Sequence, residues 1–226
     1  MPDRGLPTSM AEQLHLWDQQ HPTELQFERT RGMEYFNLYQ GELVYYPHFF
    51  SLAESDRYLE QLTSEIDWRH EPIKVYGREI LQPRLTAWYG DAGKSYTYSG
   101  INMQPQPWTA ALLTIKQEIE TIAGVIFNSV LLTLYRDGQD SMGWHSDDEP
   151  ELGTNPIIAS VSFGATRKFQ LRHKSRKDLD KVVINLSHGS FLLMAGITQH
   201  HWQHQIPKTT KVTNPRINLT FRIVHA

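Results

Sequence analysis

His145 and Asp147 stand two apart in Gly143-Trp-His-Ser-Asp147, a spacing that puts both side chains on one face of an extended segment. A His and a carboxylate on one face, completed by a distant His, make the facial triad of non-haem iron oxygenases, which leaves coordination positions open for oxygen. The pair alone is not diagnostic. With 11 His in 226 residues and as many Asp, chance supplies roughly half such a pair per chain, and a surface hydrogen bond would use the same residues. The completing His would come from Gln199-His-His-Trp-Gln-His204, where His200, His201 and His204 compete. His204 lies just before Ile206-Pro207 in a segment with strand character, but spacing does not choose among the three. A polar turn with satisfied histidines fits the same residues.

A third feature is Pro215-Arg-Ile-Asn-Leu-Thr-Phe-Arg222. Strand alternation puts Arg216, Asn218, Thr220 and Arg222 on one face and Ile217, Leu219 and Phe221 on the other. Arginines facing inward are costly without an anion, and their planar forks match a dicarboxylate. An edge strand with a solvated basic face is the competing reading.

These residues need elements to hold them. Ser51-Leu-Ala-Glu54 is a capping box, and Leu52, Leu59, Leu62 and Ile66 behind it predict a helix over 52–66 with those residues on its buried face. A second helix is predicted over 107–123, with Leu112, Ile115, Ile119 and Ile122 inward and Gly124 as C-cap. From residue 128 onward the period changes. Segments 128–135, 157–163, 167–173, 182–186, 190–195 and 216–224 are short and β-branched or aromatic, with turns at Asp137-Gly138 and His188-Gly189. Six strands without intervening helices predict a closed or double-sheet architecture such as a jelly roll. The expected class is therefore α+β, with helices leading into a C-terminal β-sandwich. Residues 1–35 read as a partly ordered arm and 36–226 as a single domain.

Composition narrows the chemistry. The absence of cysteine excludes disulfides, thiolate metal sites and cysteine nucleophiles. No apolar run approaches the ~20 residues of a membrane span, and the N-terminus lacks the pattern of a secretory signal, so a cytosolic or nuclear location is expected. The net charge of −3 conceals an asymmetry: up to residue 165, 11 Lys+Arg meet 23 Asp+Glu (−12), whereas from Thr166 onward 11 meet only Asp178 and Asp180 (+9). A C-terminal third this basic suits a polyanion or a small anion, or else forms an ordinary solvated face.

At these residues the sequence resembles the AlkB family of iron(II)- and 2-oxoglutarate-dependent nucleic-acid dealkylases. The resemblance covers about residues 70–226. It is carried in order by Tyr89-Gly-Asp-Ala-Gly, Tyr96-Thr-Tyr-Ser-Gly100, Tyr135-Arg-Asp-Gly138, His145-Ser-Asp-Asp-Glu149, Ala159-Ser-Val-Ser-Phe-Gly164, His188-Gly-Ser190, His201-Trp-Gln-His204 and Pro215–Arg222. Within the family the branch that repairs double-stranded DNA is the most similar.

The resemblance implies a double-stranded β-helix (jelly-roll) core with helices packed on it and a hairpin that contacts nucleic acid. It implies His145, Asp147 and His204 as iron ligands. Arg216 would take the far carboxylate of 2-oxoglutarate, Tyr135 and Asn218 would hydrogen-bond the cosubstrate, and Arg222 would lie near its chelating end. Thr133 stands where that branch usually has Asn, and its hydroxyl still donates. A flipped base would be clamped between His145 and Tyr98, with Tyr96, Ser99 and Glu149 around it. Val75-Tyr76-Gly77 matches the hairpin whose aromatic fills the gap in the duplex. The basic residues of 167–181 would hold phosphates.

The implied reaction is oxidative demethylation of 1-methyladenine or 3-methylcytosine in DNA, consuming dioxygen and 2-oxoglutarate at iron(II) and releasing formaldehyde, by a monomeric protein. Two rivals are the same chemistry on RNA or single-stranded DNA, and a non-catalytic, metal-holding β-sandwich that binds nucleic acid. A cupin-like isomerase would not need both arginines.

Overall fold

The computed structural model describes residues 28–225 except 76, 77, 94, 95, 99, 100 and 104; side chains at 73–78 and 94–104 also lie outside the description. Strands β1 (Glu34–Leu38) and β2 (Gly41–Tyr46) are followed by helix α1 (Leu52–Glu65). Next come β3 (Pro72–Val75), β4 (Arg78–Leu81), β5 (Leu85–Gly90), β6 (Tyr96–Tyr98), β7 (Ile101–Met103) and helix α2 (Ala110–Ala123). The remaining strands begin with β8 (Ser129–Tyr135), β9 (Met142–His145), β10 (Ile158–Gly164), β11 (Arg167–His173), β12 (Val182–Leu186) and β13 (Ser190–Ala195). The single turn α3 (Thr198–His201), then β14 (Trp202–Ile206) and β15 (Arg216–Arg222), complete the chain.

Two antiparallel sheets face each other: a seven-stranded sheet, β1-β2-β13-β10-β15-β8-β5, and a four-stranded one, β12-β11-β14-β9. The strands β3–β4 and β6–β7 form separate two-stranded ribbons. The period of two explains the layering. On β8, β10 and β15, Val130, Leu132, Val161, Phe163, Ile217, Leu219 and Phe221 pack with Leu62 of α1 and Leu112, Ile115 and Ile119 of α2. The alternate residues of the same strands turn toward the four-stranded sheet, whose Phe169, Leu171, Ile184, Leu186, Trp202 and Ile206 close a second core.

The predicted start of the first helix and stop of the second are both present. Ser51 and Glu54 form the full capping box, and Gly124 ends α2 in the left-handed conformation. Thr109 caps α2, so it starts at Ala110, not at Pro107. The buried face of α1 is Ser55, Tyr58 and Leu62 with Ile66 beyond it, while Leu52 is exposed. In the first turn of a helix a leucine can point past the sheet edge, and nothing covers position 52. Gly189 is required where it stands: its φ is +75°, and a Cβ there would collide with the Phe50 carbonyl and the Ser55 side chain.

The β core is not confined to the C-terminal part. β1, β2 and β5 join the seven-stranded sheet, although their sequences were not recognised as strands. β2 reads as a nearly continuous apolar run because both its faces are covered. β1 begins at Glu34 and pairs along its whole length with β2.

Candidate metal and cosubstrate site

β9 and β14 pair antiparallel with His145 directly opposite His204. That register sets their rings edge to face at 4.3 Å between centroids. Asp147 lies two residues beyond the end of β9, in a bend rather than in the strand. Its backbone N–H donates to the buried Gln199 Oε1 at 3.0 Å, which turns the chain back toward the histidines. One ligand atom from each of His145, Asp147 and His204 falls within 4.8 Å of the others, the compactness a single divalent ion demands. His145 Nδ1 is 2.8 Å from the Gly143 carbonyl, which leaves Nε2 as its ligand atom.

The competing histidines are elsewhere. His200 is exposed and its Nε2 contacts the Thr154 carbonyl and Asn155. His201 stacks on His173 at 5.8 Å.

Electrostatics keep this group ready for a cation. Burial alone would raise the Asp147 pKa, yet Arg222, with His204 and His145, holds it well below the ordinary carboxylate range. Arg222 Nη2 donates to Asp147 Oδ1 at 2.5 Å, and Asp147 Oδ2 is 3.6 Å from His204 Nε2. Burial, reinforced by His145, pushes the His204 pKa down to about 3. The site thus holds a carboxylate and a neutral imidazole, the protonation states that bind metal.

The cavity lined by this triad continues along the inner face of β15 and β8, past Thr220, Asn218, Leu131 and Thr133, to Tyr135 and Arg216. β15 is central, between β10 and β8, which rules out the solvated-edge reading. Arg216 is 1% exposed. Its Nη2 donates to Ser162 Oγ at 2.9 Å, while Nε and Nη1 find no hydrogen-bond partner among the described residues. Its guanidinium sits 5.1 Å from the Tyr135 ring centroid, and burial pushes its pKa down to about 10. A buried guanidinium with two unused N–H directions, in a cavity that reaches a metal-ligand cluster, fits the distal carboxylate of an α-keto dicarboxylate.

Asn218 behaves differently from the simple expectation. Its Nδ2 donates to Ser160 Oγ at 2.9 Å and to the Val161 carbonyl at 2.8 Å, so the amide braces β15 against β10. Thr133 lines the cavity as the cross-strand neighbour of Asn218. Glu149 does not line it, although its Oε2 is buried without a hydrogen-bond partner among the described residues. Tyr76, Gly77 and Ser99, and the side chains of Val75, Tyr96 and Tyr98, lie outside the described residues.

Two functional neighbours escaped sequence analysis: Gln199 orients Asp147, and Phe169 stacks on His204 at 5.0 Å. The expectation that the whole basic run holds phosphates fails at Arg167, which does not face outward. Arg167 is 2% exposed, because the inward phase of β11 carries Arg167, Phe169 and Leu171. Within the basic run, Lys174 pairs with Asp148, Arg176 pairs with Asp178, and Arg172 bonds Gln203. Two of those charges are therefore paired with carboxylates at the surface.

Residues 42–222 match the 2OG-Fe(II) oxygenase superfamily. Over 188 residues the chain is 47% identical to alpha-ketoglutarate-dependent dioxygenase alkB homolog 3 of Homo sapiens, covering 80% of this chain and 65% of that protein. It thus spans about two thirds of the length of this relative. Over 186 residues it is 40% identical to DNA oxidative demethylase ALKBH2 of Mus musculus, covering 78% of each. The solved structure of OsALKBH1 shares the fold, with a TM-score of 0.57 at 17% identity over 84% of this chain and 100% of that one. The family's two named cofactors call for a metal cluster and a dicarboxylate fork joined by one cavity, and residues 145–222 build that arrangement: this chain belongs to the AlkB family of 2OG-Fe(II) oxygenases.

Proposed function

We propose that this chain is an iron(II)- and 2-oxoglutarate-dependent dioxygenase that oxidatively demethylates bases in DNA. The observation that carries the proposal is the continuity of one buried cavity from the His145–Asp147–His204 group to the partly unsatisfied guanidinium of Arg216. The substrate class is supported by the 40% identity to a protein named as a DNA oxidative demethylase. The finer reading is removal of the methyl group of 1-methyladenine or 3-methylcytosine in duplex DNA, with formaldehyde as product.

Bound iron(II), with 2-oxoglutarate and dioxygen, supplies the oxidation of the N-methyl carbon. The chain's own residues prepare for it. His145, Asp147 and His204 would hold the metal; Gln199 accepts from the Asp147 backbone N–H, and Arg222 fixes the Asp147 carboxylate. Arg216 anchors the far end of the cosubstrate, and Tyr135 lies against that anchor. Leu131, Phe169, Leu186 and Met194 wall the cavity, excluding water that would compete for open coordination positions. His145 is only half-buried and so stands at the mouth, where a flipped base would meet its ring. An N-hydroxymethyl product collapses to formaldehyde and the unmodified base without further help.

The test is release of formaldehyde and succinate from an oligonucleotide carrying one 1-methyladenine. Equimolar products that require 2-oxoglutarate support the proposal; their absence from both duplex and single-stranded substrates overturns it. Strand preference is read from single-turnover rates on matched duplex and single strands. Tyr76→Ala should slow the duplex rate about tenfold, since one lost base–aromatic stack is worth about 1–3 kcal/mol, and leave the single-strand rate unchanged.

A further inference from the structure

Beside the Tyr135 ring, outside the residues that line the cavity, lies a second buried cation that no role yet accounts for. Arg167 opens β11 opposite Leu186 of β12 and points between the sheets. Its Nη1 donates to the Asp137 carbonyl at 3.0 Å, and its Nη2 donates to the carbonyls of Asp140 and Pro207, each at 2.8 Å. No carboxylate pairs with it among the described residues. Its guanidinium lies 5.4 Å from the centroid of the Tyr135 ring, the same ring that Arg216 approaches to 5.1 Å.

Two buried guanidiniums against one phenol ring are costly to assemble. Each is desolvated, neither is ion-paired to a carboxylate among the described residues, and they repel each other. Burial lowers the pKa of both, and the nearby Arg167 lowers that of Arg216 further. Three backbone acceptors from two separate loops, 137–140 and 207, hold Arg167 where it is. A lysine has no planar fork to span such a set, and an apolar residue would strand the carbonyls. If the space beside Tyr135 needed only filling, a leucine or methionine would serve.

We infer that Arg167 is a positioning residue for the cosubstrate: it clamps Tyr135 and, through that ring, sets Arg216 and a positive field for the distal carboxylate of 2-oxoglutarate. The field acts over one ring thickness in a water-poor interior, where Coulomb interactions are least screened. Contact with the cosubstrate itself belongs to Arg216 and Tyr135. Arg167 acts through them and thereby helps select an α-keto dicarboxylate over an α-keto monocarboxylate.

The inference rests on the reading of this cavity as the cosubstrate site, and direct binding separates the two. 2-Oxoglutarate and 2-oxopentanoate, which has the same chain length but no distal carboxylate, are titrated calorimetrically and without oxygen into the iron(II)-loaded protein. Failure of the unmodified protein to bind 2-oxoglutarate overturns the cavity reading. If it binds, Arg167→Met should weaken 2-oxoglutarate about tenfold or more and change 2-oxopentanoate less than about twofold, with iron(II) affinity unchanged. Equal weakening of both acids, or of neither, overturns the role of Arg167. Should Arg167→Met fail to fold, Arg167→Lys decides: charge without the fork should still lose affinity for the dicarboxylate selectively. A double-mutant cycle with Tyr135→Phe and Tyr135→Leu adds a second readout. The Arg167 effect should persist with the Phe ring and largely vanish with Leu, whereas persistence with Leu would exclude transmission through the ring.

Discussion

The two ends of β15 carry the same residue under nearly the same burial, yet they solve the charge problem in opposite ways. Six residues separate Arg216 from Arg222, so their Cα atoms lie about 20 Å apart on one face of the strand. At the metal end, Arg222 meets a carboxylate of the chain, Asp147, at 2.5 Å. At the closed end, Arg216 has a serine hydroxyl, a phenol ring and another buried arginine for company. The protein supplies its own anion where that anion also serves as a metal ligand. On the proposed function, the anion at the other end comes with the cosubstrate, and there the chain offers the guanidinium of Arg216. An arginine in a buried strand therefore signals a ligand only after its internal partners have been identified.

The hardest way to break this contrast is to remove the shared anion. Asp147→Ala deletes a proposed ligand and the carboxylate that Arg222 pairs with, so turnover should fall below detection. Manganese(II) should then no longer raise the melting temperature, although for the unmodified protein a hundredfold excess over Kd adds about 2.7 kcal/mol. His145→Ala and His204→Ala should likewise abolish turnover. Metal binding that survives His204→Ala but not His201→Ala would show the distal ligand to be misassigned.

Next in size is the stability of the metal-free protein in urea. Arg222→Met breaks a buried ion pair and should cost about 3–5 kcal/mol. Arg216→Met, by contrast, removes an uncompensated buried charge and should be close to neutral or stabilising. Equal losses in the two variants would erase the distinction between the ends.

Cosubstrate binding should reverse that order. Arg216→Ala should weaken 2-oxoglutarate by about 30- to 4,000-fold, the equivalent of about 2–5 kcal/mol for an unpaired buried charge, while DNA affinity changes little. Calorimetric titration against an unchanged DNA-binding curve checks it. The smallest effects belong to His200→Ala and His225→Ala, which lie on exposed positions away from the cavity. Both should retain turnover within about twofold.

Much of this could be read from the chain because it is local. The capping box at Ser51 and Glu54, the left-handed stop at Gly124 and the two faces of 216–222 depend on residues within one or two turns or along one strand. Where local pattern misled, packing had overridden it. β2 and β5 lack alternation because they are covered on both faces, and β11 looked like a phosphate-binding run until its inward phase buried Arg167. Asn218 lines the cavity, and its Nδ2 also braces the neighbouring strand, a fact that no spacing within β15 contains.

The sequence by itself determined which residue types were available at which phase: a His and an Asp two apart, three histidines near 200, and arginines on one face of a late strand. Tertiary structure decided which of them meet. His204 becomes the partner of His145 because β14 and β9 pair in one register, while the turn of α3 carries His200 and His201 away. The physical reason is the period of a strand. It specifies which residues share a face, but the face becomes an interior, and its charges acquire or lack partners, only when strands distant in the chain are laid against it.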